Sequence, residues 1–439
     1  MQENRLQSIR KQPRFNGIFE KTEGFARRIE LTSHMPLKAI EVRQDGLAVS
    51  ELESGLASFI NKPFVIATNR GTSAIHLALK LVAQKIYGTD NLTGKGVFCS
   101  DLCPVEQAMP ILYENGIPTF IDVTDYDFGM DPECLVTAFE TYPDTKIVIM
   151  NHVYGFPGKI LEVKKICEEH GAILIENASE SLGATVDGKQ TGSIGDIGIL
   201  DFAKDRIITG GCGGALILSD EADDVFVRKM ANMALRDLKW NHCDGIGYDY
   251  SMNDVTAAII LEQLSHLDEI IDKKKRIYEF YKKNLNEDLT YLIEADEKNV
   301  PNYWMPVIMC DSSIEAGETR TADGYSYEDI HGTTSPMEIV DALDAFGAEV
   351  APVYMPMSLQ PVFENGELIG ADGVIDVPKA YADDNRMFRD ECSGDAFKRC
   401  VCLPADLSMT EAEQDKIIDI IHSCFDKTSI DRAAFEGSF

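Results

Sequence analysis

The chain has 439 residues, of which 44% are hydrophobic and 26% charged, with a formal net charge of −32. That length accommodates two packed domains, and that apolar content excludes a disordered chain. The acidity disfavours nucleic acid as a partner, because like charges repel.

No apolar run reaches the ~20 residues of a membrane-spanning helix, and the polar start MQENRLQSIRKQPRFNG lacks the apolar centre of a signal peptide. A cytoplasmic protein with no membrane partner is expected. The eleven cysteines show no metal-type spacing. They are expected as reduced, mostly buried thiols, with no metal site.

Residues 1–50 are weakly periodic and read as an arm packed on the body. Residues 51–60 carry apolar positions at helical spacing. A strand, turn and helix rhythm follows: FVIAT (64–68), NRGTS (69–73), then the apolar helix 74–86. GVFCS (96–100), PTFIDV (118–123) and KIVIMNHVYG (146–155) read as further strands. The helix KILEVKKICEEHG ends on Gly171, a favoured helix stop. AILIEN (172–177), IGILDFA (197–203) and GALILS (214–219) complete the set.

Apolar strands alternating with helices predict a mostly parallel sheet covered on both faces, with ligands at the strands' carboxyl ends. A long helical pattern runs from Asp254 to Leu285 and leads into a second unit. The chain thus divides into an arm (1–50), a large α/β domain (51–265) and a smaller C-terminal α+β domain (266–439). The polar stretch 311–335 reads as a loop insertion. The closing helix 408–425 opens on a capping box, with Thr410 as N-cap and Glu413 three residues on.

The turn Gly71-Thr72-Ser73 offers backbone N–H groups and a helix dipole to an anion, although it also reads as a plainly capped helix start. The segment IENASESLGATVDGKQTGSIGDIGILDFAKDRIITGGCGGALILSD (175–220) is more specific. It resembles the DegT/StrS family of pyridoxal phosphate (PLP)-dependent nucleotide-sugar aminotransferases. Their sequences run E-D-A-A-E-S-L-G-A, then G-K-x-x-G-x-x-G-D, then F-S-F-x-x-x-K-x-I-x-T and a Gly pair. ATNRGTSAIHLAL is similar to the family's phosphate turn, NHVYGFPG to a strand end, YDYSM (248–252) to part of its G-x-N-Y-R-M segment, and EVAPVYMPMSLQPVF to its substrate wall.

The resemblance implies a fold type I aminotransferase-like α/β protein, with a mostly parallel central sheet, flanking helices and a smaller C-terminal α+β domain. It further implies PLP as cofactor, a nucleotide sugar as ligand and a homodimer. On this alignment the phosphate turn is Gly71, Thr72 and Ser73. The family's pyridine-binding Asp falls on Asn177, and a polar side chain near the ring oxygen on Glu180. Its phosphate-binding Ser falls on Asp201 and its Schiff-base Lys on Arg206. The Asn that reaches in from the neighbouring subunit falls on Asp249, and the Arg of that segment on Ser251. The ring-stacking aromatic falls near Pro104. On the substrate side stand His152, Tyr354 and Ser358, with Ala351 where the wall has an Arg.

These identities alter the chemistry. An Asn cannot carry the charge that keeps a pyridine nitrogen protonated. A guanidinium stays protonated and makes no aldimine. A carboxylate ~4 Å from a unit negative charge costs roughly 4 kcal/mol at an effective dielectric of 20, unless it takes up a proton. Lys204 is the one nearby amine. In an extended segment it shares the face of Arg206, and it also reads as an ordinary solvated lysine. His152 equally reads as a hydrogen-bonded core histidine.

Three functions stay open. One is a homologue that has lost Schiff-base transamination and binds a sugar nucleotide or a paralogous subunit. Another is an active PLP-dependent aminotransferase of unusual site design. The third is a different enzyme that uses His152, Glu180 or Asp201 as acid or base. The complementary charges predict that Arg206 occupies the cofactor's space and pairs with Asp201, Asp249 or both.

Overall fold

Short apolar strands alternate with helices from residue 64 onward, and each pair adds one step to a sheet. The computed structural model describes residues 25, 27–35, 47–295, 298–312, 315–321, 324–363, 366–375 and 391–427. Most of the arm expected at 1–50 therefore lies outside the described residues.

Helix α1 (Leu47–Ile60) leads into β1 (Phe64–Thr68) and α2 (Gly71–Val82), which continues as a π-turn through Ala83–Tyr87. Then come β2 (Gly96–Ser100), α3 (Val105–Tyr113), β3 (Ile117–Ile121), α4 (Pro132–Thr141), β4 (Ile147–Asn151), α5 (Ile160–Glu169) and β5 (Ile173–Asn177). The short β6 (Thr185–Val186) and β7 (Lys189–Gln190) precede β8 (Ile197–Asp201), β9 (Gly214–Leu218) and α6 (Glu221–Ala231).

Helices α7 (Asp254–Leu264) and α8 (Leu267–Asn284) connect to the C-terminal part. That part holds β10 (Thr290–Leu292), β11 (Asn299–Val300), β12 (Val307–Cys310), β13 (Glu318–Thr321), β14 (Gly324–Tyr327), α9 (Pro336–Phe346), β15 (Ala351–Pro352), β16 (Glu367–Gly370) and β17 (Gly373–Ile375). It closes with α10 (Cys392–Arg399), β18 (Cys400–Cys402) and α11 (Glu411–Asp426), whose capping box pairs Thr410 with Glu413.

The main sheet has nine strands in the order β1-β9-β8-β5-β4-β2-β3-β16-β17. From β8 to β16 every pairing is parallel, and β9 and β17 add antiparallel ladders. β4 is buried at all five positions, as a strand covered on both faces must be. Register assembles the rim where a ligand is expected. Asn151 lies opposite Asn177, while Gly214 lies opposite both Asp201 and Thr68. The carboxyl ends of β1, β4, β5 and β8 thus share one edge. A second sheet, β10-β12-β18-β15, forms the body of the C-terminal part.

Three expectations need correction. The helical pattern 254–285 is two helices, broken at Ser265. There the Ser265 hydroxyl donates to the Glu262 carbonyl at 2.7 Å and competes with the helix ladder. The polar stretch 311–335 is not a bare loop, because β13 and β14 pair there as a hairpin. Residues 367–375 add β16 and β17 to the main sheet rather than to the C-terminal one.

All eleven cysteines are free thiols. Among the described residues no helix is long and apolar enough to cross a membrane. No group of three His, Cys, Asp or Glu there is placed to hold a metal ion.

Candidate active site

β8 ends at Asp201 and the chain then reverses, with the Arg206 N–H donating to the Ala203 carbonyl at 3.1 Å. This turn replaces the extended segment expected at 204–206. The two-residue alternation is lost, so Lys204 lies exposed at the tip while Arg206 points inward. The shared face anticipated for Lys204 and Arg206 does not exist.

The Arg206 side chain is 6% exposed. Its Nε donates to Asp201 Oδ2 at 3.1 Å and its Nη1 to Glu180 Oε1 at 3.3 Å. Asp205 lies 3.8 Å from Nη1, and the guanidinium carbon sits 5.4 Å from the centre of the Trp304 ring. Burial opposes the charge, but Tyr354, Glu180, Asp201 and Asp205 outweigh it and hold the guanidinium pKa well above its usual value. The turn is clamped from outside as well. His34 Nε2–H donates to the Arg206 carbonyl at 2.7 Å, and the Trp304 indole N–H donates to the Asp205 carbonyl at 2.8 Å.

Asp201 has a second partner. The Gly71 N–H, first in α2, donates to Asp201 Oδ1 at 3.0 Å. Arg70, the N-cap residue of α2, supplies no side-chain cap, so this carboxylate serves the positive end of the helix. A Cβ on residue 71 would stand 2.6 Å from Asp201 Cβ, so only Gly permits the approach. Ser73 turns its hydroxyl to Asn69 Oδ1 at 2.7 Å, and Thr72 is half-buried.

Asn177 donates from Nδ2 to Gln107 Oε1 at 2.7 Å and accepts the Ser179 N–H at 3.1 Å. Gln107 escaped the sequence reading. Its one sequence cue is an amide on the apolar face of α3, beside Ala108 and Ile111.

Glu180 is 3% exposed, and burial raises its pKa. It accepts from the Tyr354 hydroxyl at 2.7 Å and the Tyr154 N–H at 2.8 Å, and the two tyrosine rings stack 5.3 Å apart. Tyr354 thus joins Arg206 and Glu180 in one cluster.

Other candidates lie apart from it. Both ring nitrogens of His152 are engaged inside the protein. Nδ1 accepts the Gly158 N–H at 3.2 Å, and Nε2–H donates to Glu176 at 3.1 Å, as in a core histidine. Ser358 gives its N–H and its hydroxyl to Asp101, whose carboxyl pKa burial pushes up to about 6. Asp249 is exposed, with its carbonyl accepting from Asn69 Nδ2 at 3.0 Å. Its carboxylate makes no ion pair with Arg206 within the chain, where Arg206 bridges Glu180, Asp201 and Asp205 instead. Pro104 caps α3 and presents no aromatic ring, and Ala351 lies half-buried on β15.

These residues do not fit PLP. Its phosphate would meet a carboxylate already bound at the α2 N-terminus. Its pyridine nitrogen would meet a neutral amide engaged at both ends. Its aldehyde would meet a guanidinium locked in ion pairs. The scaffold nonetheless finds close counterparts.

Residues 33–323 match the DegT/DnrJ/EryC1/StrS aminotransferase family. The chain is 31% identical over 387 residues to EpsN of Bacillus subtilis, whose name assigns it to the pyridoxal phosphate-dependent aminotransferases; 87% of this chain and 88% of EpsN are covered. It is 27% identical over 380 residues to GDP-perosamine synthase of Caulobacter vibrioides, covering 85% and 89% of the two chains. Its fold is similar to that of DesI, crystallised in the presence of its TDP-sugar product, with a TM-score of 0.74, 17% identity and coverage of 94% and 97%. A DegT/DnrJ/EryC1/StrS aminotransferase from Brucella abortus gives a TM-score of 0.70, 21% identity and coverage of 96% and 95%. The rim, the turn motifs and this breadth of similarity agree: the chain belongs to the DegT/DnrJ/EryC1/StrS aminotransferase family.

Proposed function

We propose that this protein is a non-transaminating homologue within the sugar aminotransferase lineage, one that keeps the scaffold to bind a nucleotide sugar. The observation that carries this is the buried Arg206 network, in which Asp201 and Glu180 satisfy a guanidinium where the family places its reactive amine. A buried ion pair of this kind is costly to open, because each partner is left uncompensated. The names of the relatives support a nucleotide sugar as the ligand class. A homodimer in the cytoplasm completes the proposal.

The test has two arms. Purified protein incubated with PLP is expected to show no aldimine absorption at the violet edge of the visible range. Calorimetric titration with GDP- and TDP-linked hexoses is expected to show saturable binding. A stoichiometric chromophore would instead favour an active aminotransferase, and the absence of nucleotide-sugar binding would favour a paralogous subunit as the ligand.

A further inference from the structure

The amide at position 177 belongs to a buried chain of hydrogen bonds with a fixed direction. The Ser179 N–H donates to Asn177 Oδ1 at 3.1 Å, and Asn177 Nδ2 donates to Gln107 Oε1 at 2.7 Å. Gln107 Nε2 donates to Asn151 Oδ1 at 3.3 Å, and Asn151 Nδ2 donates to the Leu102 carbonyl at 3.2 Å. Asn177, Gln107 and Asn151 are 3%, 0% and 2% exposed, so no side chain of the chain can turn to bulk water instead.

Each end holds a backbone group that cannot exchange roles, and at the Ser179 end the hydroxyl also donates to Asn177 Oδ1 at 2.5 Å. The Ser179 N–H only donates and the Leu102 carbonyl only accepts. Every amide between them must therefore accept on the Ser179 side and donate on the Leu102 side. Flipping one amide sets two acceptors or two donors face to face, at both of its ends.

We infer that Gln107 and Asn177 form one coupled pair, in which the direction of this chain holds position 177 as a neutral donor and excludes a carboxylate there. An ionised acid at 177 would put an acceptor against Gln107 Oε1. Gln107 could relieve this by turning its own oxygen onto Asn151 Oδ1, where the one compensating donor is the weak Cys99 thiol, 3.4 Å from Gln107 Nε2. The side chain that would charge-pair with a pyridine nitrogen is thus barred by a residue outside the Arg206 network. This deepens the functional reading above and rests on it only where the cofactor is concerned.

The test is a double-mutant cycle of Asn177→Asp and Gln107→Ser, read by thermal midpoint. Asn177→Asp alone should lower the midpoint by on the order of 5 °C at about pH 7.5. The introduced carboxyl is buried and faces an acceptor, so its folded pKa lies above the ordinary ~3.9. Its penalty therefore grows as pH rises through that folded value and shrinks as pH falls, when the protonated acid donates to Gln107 Oε1.

With Gln107→Ser present, the Asn177→Asp penalty should be much smaller. Additive losses, or a penalty independent of pH, would overturn the coupling. Should Asn177→Asp yield no folded protein, recovery of folded protein in the double variant supports the inference, and failure of both overturns it.

A cofactor arm follows. Arg206→Lys, Asp201→Ser, Asp249→Asn and Asn177→Asp together should take up PLP at least tenfold more weakly than the same set with Gln107→Ser, a factor of ten being about 1.4 kcal/mol. Equal uptake by the two sets overturns the role given to Gln107. PLP bound by the unmutated protein instead overturns the functional reading, and leaves the stability cycle to stand or fall separately.

Discussion

Replacing Arg206 by Ala strands two carboxylates at once, and the structure sets the size of the effect. Breaking a buried pair from one side costs about 3–5 kcal/mol. Two observations place this case near the lower end. Asp201 keeps the Gly71 N–H at 3.0 Å, and Glu180 keeps the Tyr354 hydroxyl at 2.7 Å and the Tyr154 N–H at 2.8 Å. Loss of the guanidinium from the Trp304 face adds roughly 0.5–1 kcal/mol. A destabilisation of about 3–4 kcal/mol is expected, measured as the shift in urea unfolding midpoint at neutral pH.

The pH dependence has a definite sign. Burial already raises the Glu180 carboxyl pKa, and losing Arg206 raises it further. A group whose folded pKa exceeds its unfolded value destabilises most above the folded value, and the penalty is relieved as pH falls toward the unfolded ~4.3. The Arg206→Ala deficit should therefore shrink between about pH 7.5 and about pH 5. Combining Arg206→Met with Glu180→Gln and Asp201→Asn should recover much of the loss, because no charge is then left buried. A variant within about 0.5 kcal/mol of the parent, or a deficit that grows on acidification, would refute the reasoning.

Further outcomes follow from the same geometry. Arg206→Lys alone should stay colourless with PLP, because Asp201 still occupies the helix N-terminus and Asn177 remains an amide; an aldimine band from this single variant contradicts that. Asp406, pulled down to about 2 by Arg27, Ser408 and Ser33 against the opposing effect of burial, anchors the described part of the arm. Asp406→Asn should cost about 1 kcal/mol at neutral pH, discounted because its partner Arg27 is 39% exposed. That difference should close as pH falls from about 4 through about 2, because a lowered folded pKa stabilises only above it; a thermal-midpoint series against pH checks this. Light scattering should report a homodimer that buries more than ~2,000 Å². Leu238, Trp240 and Ile246, which are 42%, 65% and 73% exposed in the single chain, lie next to the segment 248–252. Trp240→Asp should weaken the dimer, and a monomeric parent at micromolar concentration would contradict the assembly.

Much of the fold was legible because its determinants are local. FVIAT and GVFCS became β1 and β2 without a residue's shift, and Thr410 with Glu413 formed the capping box read from their spacing. The pairing of Arg206 with Asp201 was also legible, since opposite charges at one site must meet or stay in water. Other features depend on contacts distant in sequence. β16 joins the main sheet through a parallel ladder with β3, and no pattern within 367–370 announces its partner. The extended segment expected at 204–206 is a turn because it depends on clamps from His34 and Trp304, while Lys204 itself is exposed, as an ordinary solvated lysine would be. Arg206 was expected to pair with Asp201, Asp249 or both, and within the chain Glu180 joins Asp201 as a carboxylate partner that the alignment had placed only near the cofactor ring. Gln107 was missed because an amide in an apolar helix face carries no motif, and its meaning comes only from Asn177 across the sheet.

The closed Arg206 network should leave PLP no amine with which to form an aldimine in this cleft. Purified protein titrated with PLP and followed by visible absorption, then by borohydride trapping and peptide mass analysis, tests this. The expected result is no saturable violet-edge band and no pyridoxyl-modified lysine. A stoichiometric band with a single modified lysine, at Lys204 or elsewhere, would contradict the reading of Arg206, Asp201 and Glu180 as a closed ion-pair network.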